Sequence, residues 1–198
     1  MIDETYFKHF PTLESERLLL RKLELTDAPE IQTIRSNERV MMYMDSERQS
    51  TVGQSERFIS MKLKMYQENT GIFWAIIEKS TNAFIGDFSF FKMDHKNSRT
   101  EIGYTSKPEF WGKGYMQEAM TSIFNFGFDN LNLHSLEANI NPGNDKSRAI
   151  LTKMGFQKEA YFRENYYYDG KYLDSEIYSL LSSDFKTDNT KGEAKDLI

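Results

Sequence analysis

A chain of 198 residues can bury one sizeable core and is too short for two ordinary domains. Its composition, 39% hydrophobic and 28% charged with many Phe and Tyr, is that of a folded domain, and a net charge of -5 offers no cationic field for nucleic acid. The lack of cysteine removes disulfides, thiolate metal sites and a Cys nucleophile together. The three scattered His residues have no metal-ligand spacing. No apolar run approaches the ~20 residues of a membrane span, and Met1-Ile2-Asp3-Glu4 does not open a signal peptide, so the expected location is cytoplasmic.

Glu16 to Leu25 reads as a strand, because Leu18, Leu20 and Leu23 alternate with charges. Thr26 is the expected N-cap of a helix with Pro29 in its first turn and Ile31 and Ile34 on its apolar stripe, ending near Ser36-Asn37. Met41 to Met44 form a loop or short helix, as core filler or as a pliable cleft wall. From Val52 to about Glu68, Phe58, Ile59, Leu63 and Tyr66 recur at helical spacing. Phe73–Lys79, Phe84–Met93 and Thr100–Ser106 follow as three strands with short links, a meander.

Gly112-Lys113-Gly114 then precedes a helix whose buried face carries Met116, Ala119, Met120 and Ile123. Ser135–Ile140 is a strand, Asn141-Pro142-Gly143-Asn144 breaks it, and Lys146–Met154 is a short helix stopped by Gly155. Strands Phe156–Tyr168 and Tyr172–Leu181 flank the hairpin turn Asp169-Gly170. The chain thus divides into an extension over 1–11, a domain over 12–185 and a polar tail over 186–198 expected to be disordered. A meander that runs into strand–helix–strand implies a mixed α/β sheet.

A glycine pair at a helix start either makes a tight turn or lets backbone N–H groups reach an anion. Two phosphate motifs are excluded: a P-loop needs Ser or Thr where Gly114 stands, and a dinucleotide fingerprint needs glycine where Gln117 stands.

The run Glu101-Ile102-Gly103-Tyr104…Pro108-Glu109-Phe110-Trp111-Gly112-Lys113-Gly114-Tyr115…Glu118-Ala119 resembles the acetyl-CoA-binding segment of the GNAT N-acetyltransferase superfamily. Glu16-Arg17-Leu18-Leu19-Leu20-Arg21 with Thr26-Asp27-Ala28, and Asn141 to Ser147 with Lys153-Met154-Gly155-Phe156, are similar to its Rim-type branch of ribosomal-protein N-terminal acetyltransferases. The likeness runs over about residues 12–183. It implies a mostly antiparallel mixed sheet of about six to seven strands with about four helices, splayed at a V-shaped acetyl-CoA cleft. Where the superfamily usually has Gln or Arg three residues before the first glycine, this chain has Glu109, so backbone N–H groups and Lys113 are left to hold the pyrophosphate.

The implied activity is acetyl transfer from acetyl-CoA, as co-substrate, to a primary amine: a protein N-terminus or a small molecule. A non-catalytic acyl-CoA sensor on the same fold is the alternative from another class, and a homodimer is open. The resemblance assigns cofactor binding to Ile102, Gly103, Tyr104, Thr105, Trp111, Gly112, Lys113, Gly114, Tyr115, Met116, Asn144 and Ser147. Glu101 is the candidate general base, against a solvated strand residue; Ser147 is the candidate donor to the leaving sulfur, against a helix cap shared with Asn144. Tyr161, Tyr166, Tyr167 and Tyr168 read as cross-strand pairs ahead of catalysts. Asp174 reads as an acceptor-site or structural carboxylate, and Asp87 as solvated rather than facing an amine.

Overall fold

Alternating apolar side chains dictate the layering in a computed structural model that describes residues 1–185. The tail at 186–198, expected to be disordered, lies outside the described residues. In chain order the elements are β1 (Leu13–Glu14), β2 (Leu18–Lys22), α1 (Ala28–Ser36), α2 (Glu38–Met41), α3 (Val52–Gln67), β3 (Ile72–Glu78), β4 (Ala83–Asp94), β5 (Arg99–Ser106), α4 (Tyr115–Asn125), β6 (Ser135–Ile140), α5 (Asp145–Lys153), β7 (Gln157–Tyr168) and β8 (Lys171–Leu181). They build one eight-stranded sheet in the order β1-β2-β3-β4-β5-β6-β8-β7. Every neighbouring pair is antiparallel except β5 with β6.

Both faces of the sheet are covered. Leu18, Leu20, Trp74, Phe88, Phe90 and Leu136 face α4 and α5, where Met120, Ile123, Phe124 and Leu151 close a large core. Leu23, Phe73, Ala75 and Ile77 face Ile31, Ile34 and Ile59 on α1 and α3. Each fully buried large apolar side chain contributes about 1.5–3 kcal/mol. The leading segment 1–11 lies on the first core: Phe7 and Phe10 pack on the Tyr66 ring at 5.6 and 5.2 Å, and the Trp74 indole N–H donates to the Pro11 carbonyl at 2.7 Å.

The sheet has one strand more than expected, because β1 is two residues long and too short to carry an alternation. It has a fifth helix because Glu38–Met41 closes one turn, capped by the Asn37 side chain. Thr26 does not cap α1. A 3-10 turn at Leu25–Asp27 leads in, and the buried Asp27 carboxylate accepts from the Glu24 N–H and from both terminal nitrogens of Arg21. At the last hairpin Asp169 and Gly170 both have positive φ, 48° and 78°, as a type I′ turn requires.

Candidate functional site

The site begins where two strands part. β5 and β6 run parallel with paired residues only at Arg99–Ser135, Thr100–Leu136 and Glu101–Glu137. From Ile102 onward β5 keeps β4 on one side and, among the described residues, has no strand on the other, while β6 stays paired with β8 along its whole length. Unsatisfied backbone groups are costly to leave dry, so this open edge is ready to receive an extended ligand in the manner of an added strand.

At the end of that edge the chain enters α4 through Gly112 and Gly114, with φ of 73° and 80° in the left-handed region. No side chain caps the helix at Gly114, so its first-turn N–H groups remain available. Nothing lies within 4 Å of a Cβ built on Gly112, which leaves the loop open to an approaching group. Uncapped N–H groups beside the positive end of a helix fit a pyrophosphate. Lys113 is exposed, with its ammonium 5.7 Å from the Phe110 ring; Glu109 is exposed too.

Sequence reasoning missed what holds this loop. The Arg17 backbone N–H and Nε both donate to the Glu118 carboxylate, at 2.8 and 2.6 Å, and Ser15 Oγ donates at 2.7 Å. Arg17 Nη1 reaches the Lys113 carbonyl at 3.2 Å and its guanidinium covers the Tyr115 ring at 4.3 Å. Tyr115 in turn donates to Glu78. Burial pushes the Glu118 carboxyl up, but these donors outweigh it and hold it below its usual value. Their separation in sequence, 101 residues, hid the pairing; Arg17 and Glu118 stood in the motifs without roles.

On the two walls the structure brings several expected residues together. Tyr104 on β5 and Ser147 in the first turn of α5 share a hydrogen bond of 2.6 Å. Tyr104 stacks flat on Phe88, and burial drives its phenol up to about 12 despite the Ser147 contact, so it stays protonated at neutral pH. Asn144 is the helix cap: its side-chain oxygen accepts the Ser147 N–H at 3.1 Å. Trp111 anchors its indole N–H on the Ser106 carbonyl at 3.0 Å and receives the Lys146 ammonium at 4.0 Å from the ring. Ile102 is buried in the core below, and Met116 packs on the same core. Gly103 accepts from Ser89 Oγ through its carbonyl, at 3.1 Å.

Glu101 lies on the opposite face of β5 from Tyr104, by strand alternation. Its carboxylate is largely buried and pairs with Lys92 at 2.6 Å, so it is not the freely solvated strand residue that was the alternative. Asp87 corrects the expectation of surface solvation: it is 9% exposed and accepts from the Thr105 hydroxyl. A polar residue between Ile85 and Phe88 gave no sign that a helix would cover it. Asp174 accepts from the Tyr161 hydroxyl and from the Glu164 N–H at 2.8 Å, closing a structural bond across the hairpin. Tyr167 pairs with Tyr172 across the strands, rings 5.2 Å apart.

A parallel pair that opens beside an uncapped, glycine-entered helix fits an acetyltransferase that takes its acetyl group from CoA. The match to known proteins agrees. Residues 17–157 fit the model of the acetyltransferase (GNAT) domain, and the chain belongs to that family. It is 36% identical to the uncharacterized N-acetyltransferase YoaA of Bacillus subtilis over 87% of this chain and 97% of that one. A GNAT-family acetyltransferase from Bacillus anthracis superposes with a TM-score of 0.78 at 25% identity, over 87% of this chain and 99% of that one. Spermidine N-acetyltransferase from Vibrio cholerae, solved with CoA and spermine, shares the fold at TM-score 0.75 and 22% identity, over 86% and 98% of the two chains. Among the described residues no helix is long and apolar enough to cross a membrane, and no group of three or more His, Cys, Asp or Glu is placed to hold a metal.

Proposed function

We propose that the protein acetylates a primary amine by direct attack of the amine nitrogen on the acetyl-CoA thioester. The observation that carries this reading is the loss of β6 from the β5 edge after Glu101, at the point where a thioester arm needs a wall. In the proposal the backbone of Ile102–Thr105 lies along that arm. Gly112, Lys113 and Gly114 hold the pyrophosphate with Tyr115 and Met116 behind them, and Trp111, Asn144 and Ser147 line the other side.

The thioester supplies the carbon to be attacked and a thiolate to leave. Glu101 takes a proton from the amine nitrogen, directly or through water, after Lys92 swings away into solvent. Ser147 Oγ gives its proton to the sulfur as the C–S bond breaks, the Tyr104 hydroxyl replenishes Ser147, and the proton that Glu101 took from the amine returns to Tyr104 through water before the next turnover. Tyr104 acts through Ser147 and is a positioning and relay residue.

The motif likeness to the Rim-type branch supports a protein N-terminus as acceptor, with a small-molecule amine as the other member of the class. A cytoplasmic location accompanies this reading. The exposed Tyr161, Phe162, Tyr167 and Tyr172 of the last hairpin support pairing of two copies, which light scattering would test. The decisive experiment is thiol release from acetyl-CoA against an amine panel that includes short peptides with free N-termini. Turnover of at least one amine supports the reading; cofactor binding without turnover of any would sink it.

A further inference from the structure

On the face of the sheet opposite Tyr104 and Ser147, two cations sit with no ion-pair partner in contact among the described residues. Arg35 of α1 is 7% exposed, its Nη2 donates to Ser46 Oγ at 3.0 Å, and its buried Nε has no partner. Lys62 of α3 is half-buried. The two are brought together by aromatic rings: Arg35 covers Phe58 at 4.3 Å, and Lys62 lies 5.0 Å from Phe58 and 4.5 Å from Phe73. Phe73 and Ala75 share one face of β3, and Ala75 pairs with Asp87 on β4, which is bonded to Thr105 of the open wall β5. The cluster therefore backs onto the open wall through Ala75, Asp87 and Thr105.

Among the described residues neither Arg35 nor Lys62 has a carboxylate within 4 Å, although Asp87 is near enough for both to sense its charge. Burial weakens both cations' hold on their protons and penalises Asp87 as an anion. Two cations outnumber the one carboxylate they sense, Asp87, while Glu101 on the same face is paired with Lys92. Buried charges are retained where something pairs them. In the proposed reaction the cofactor arm takes the α4–α5 side of the opening, which leaves the side of Glu101 and Thr105 to the acceptor.

We infer that this face is an acceptor subsite for a carboxylate, with Arg35 and Lys62 as its cations, so that the substrate is a primary amine that also carries a carboxylate rather than a polyamine. The inference rests on the proposed acetyl transfer and names its substrate class.

Two measurements test it. The first compares acceptors whose amines are alike and that differ in one remote carboxylate: C-terminally amidated Ala-Asp against C-terminally amidated Ala-Asn, with spermidine alongside. The acidic peptide should exceed the neutral one at least about tenfold in kcat/KM, as loss of a buried charge partner costs at that scale. Lys62→Met should erase the ratio while acetyl-CoA affinity holds, and Lys62→Arg should restore it. Equal values for the two peptides, or a preference for spermidine, would overturn the subsite.

The second needs no turnover. In the acetyl-CoA-loaded protein, succinate should shift the NMR resonance of the Arg35 Nε–H and succinamide should not. An unmoved Arg35 signal overturns the subsite even where acetyl transfer is found. A shifted one supports it even where every amine in the panel fails, which separates the two readings.

Discussion

The Tyr104 phenol and the Ser147 hydroxyl meet at 2.6 Å between β5 and the first turn of α5, on either side of the opening in the sheet. Ser147 is held from behind by Asn144, and Tyr104 by its stack on Phe88. Two hydroxyls so tightly placed give each a consequence for the other.

Replacing Tyr104 with Phe keeps the ring and removes the relay. We expect kcat to fall by roughly 10²-fold, with acetyl-CoA affinity within about threefold of the parent. Because burial raises the Tyr104 phenol to about 12, the parent's pH–rate profile should show no fall from its ionisation below pH 10. Unchanged kcat in Tyr104→Phe would remove the relay, and stopped-flow thiol release measures it.

Glu101→Gln retains shape and loses the base. Its kcat at neutral pH should drop by about 10²–10⁴-fold while cofactor binding persists, because a general base contributes at that scale. Lys92→Met tests the ion pair separately: freeing Glu101 should leave kcat equal or higher. Full activity in Glu101→Gln would dismiss Glu101 from the chemistry.

Gly114 has φ of 80° at the uncapped start of α4. Gly114→Ala forces a side chain into the left-handed region at a cost of about 1–2 kcal/mol, at the loop proposed to hold the pyrophosphate. Titration calorimetry should show weaker acetyl-CoA binding, with thermal melts reporting the stability loss. A variant that binds as tightly as the parent would argue against the glycine loop as the anion site.

Glu176 is 4% exposed and joins three elements: it accepts from Arg148 of α5 at 3.2 Å, from Lys158 of β7 at 2.7 Å and from the Tyr178 hydroxyl at 3.0 Å. Removing its charge takes the carboxylate from Lys158 and leaves Arg148 with Asp145 and the Pro142 carbonyl, and since both cations are partly exposed Glu176→Gln should cost about 1–2 kcal/mol by denaturant unfolding. Burial pushes this carboxyl up, but the three donors more than offset it, and its folded-state value lies below the usual 4.5. The unfolded chain therefore takes up the proton first as pH falls. The stabilisation is complete above about pH 4.5 and is lost as pH drops through the folded value. The gap in melting temperature between parent and Glu176→Gln should close over that acidic range. A gap that stays constant down to pH 3 would remove Glu176 as the source.

Local pattern alone placed most of the elements, since each depends on neighbours in the chain. The alternation of Leu18 and Leu20, the helical spacing of Phe58, Ile59, Leu63 and Tyr66, and the Asp169-Gly170 turn all agree with the structure. Where local signals competed, prediction slipped. Thr26 looked like a cap by residue type, but Arg21 draws Asp27 into that place.

By itself, the sequence determined the layered mixed fold, the order of its elements and the glycine-entered helix, because hydrophobic period and turn chemistry are local properties. Only the tertiary structure decided which charges are paired. Glu118 finds Arg17 across 101 residues, Asp87 goes under α1 and α3 instead of into water, and Arg35 and Lys62 converge on Phe58 from different helices. Burial and Coulomb energy depend on distances through space, which no spacing along a chain records.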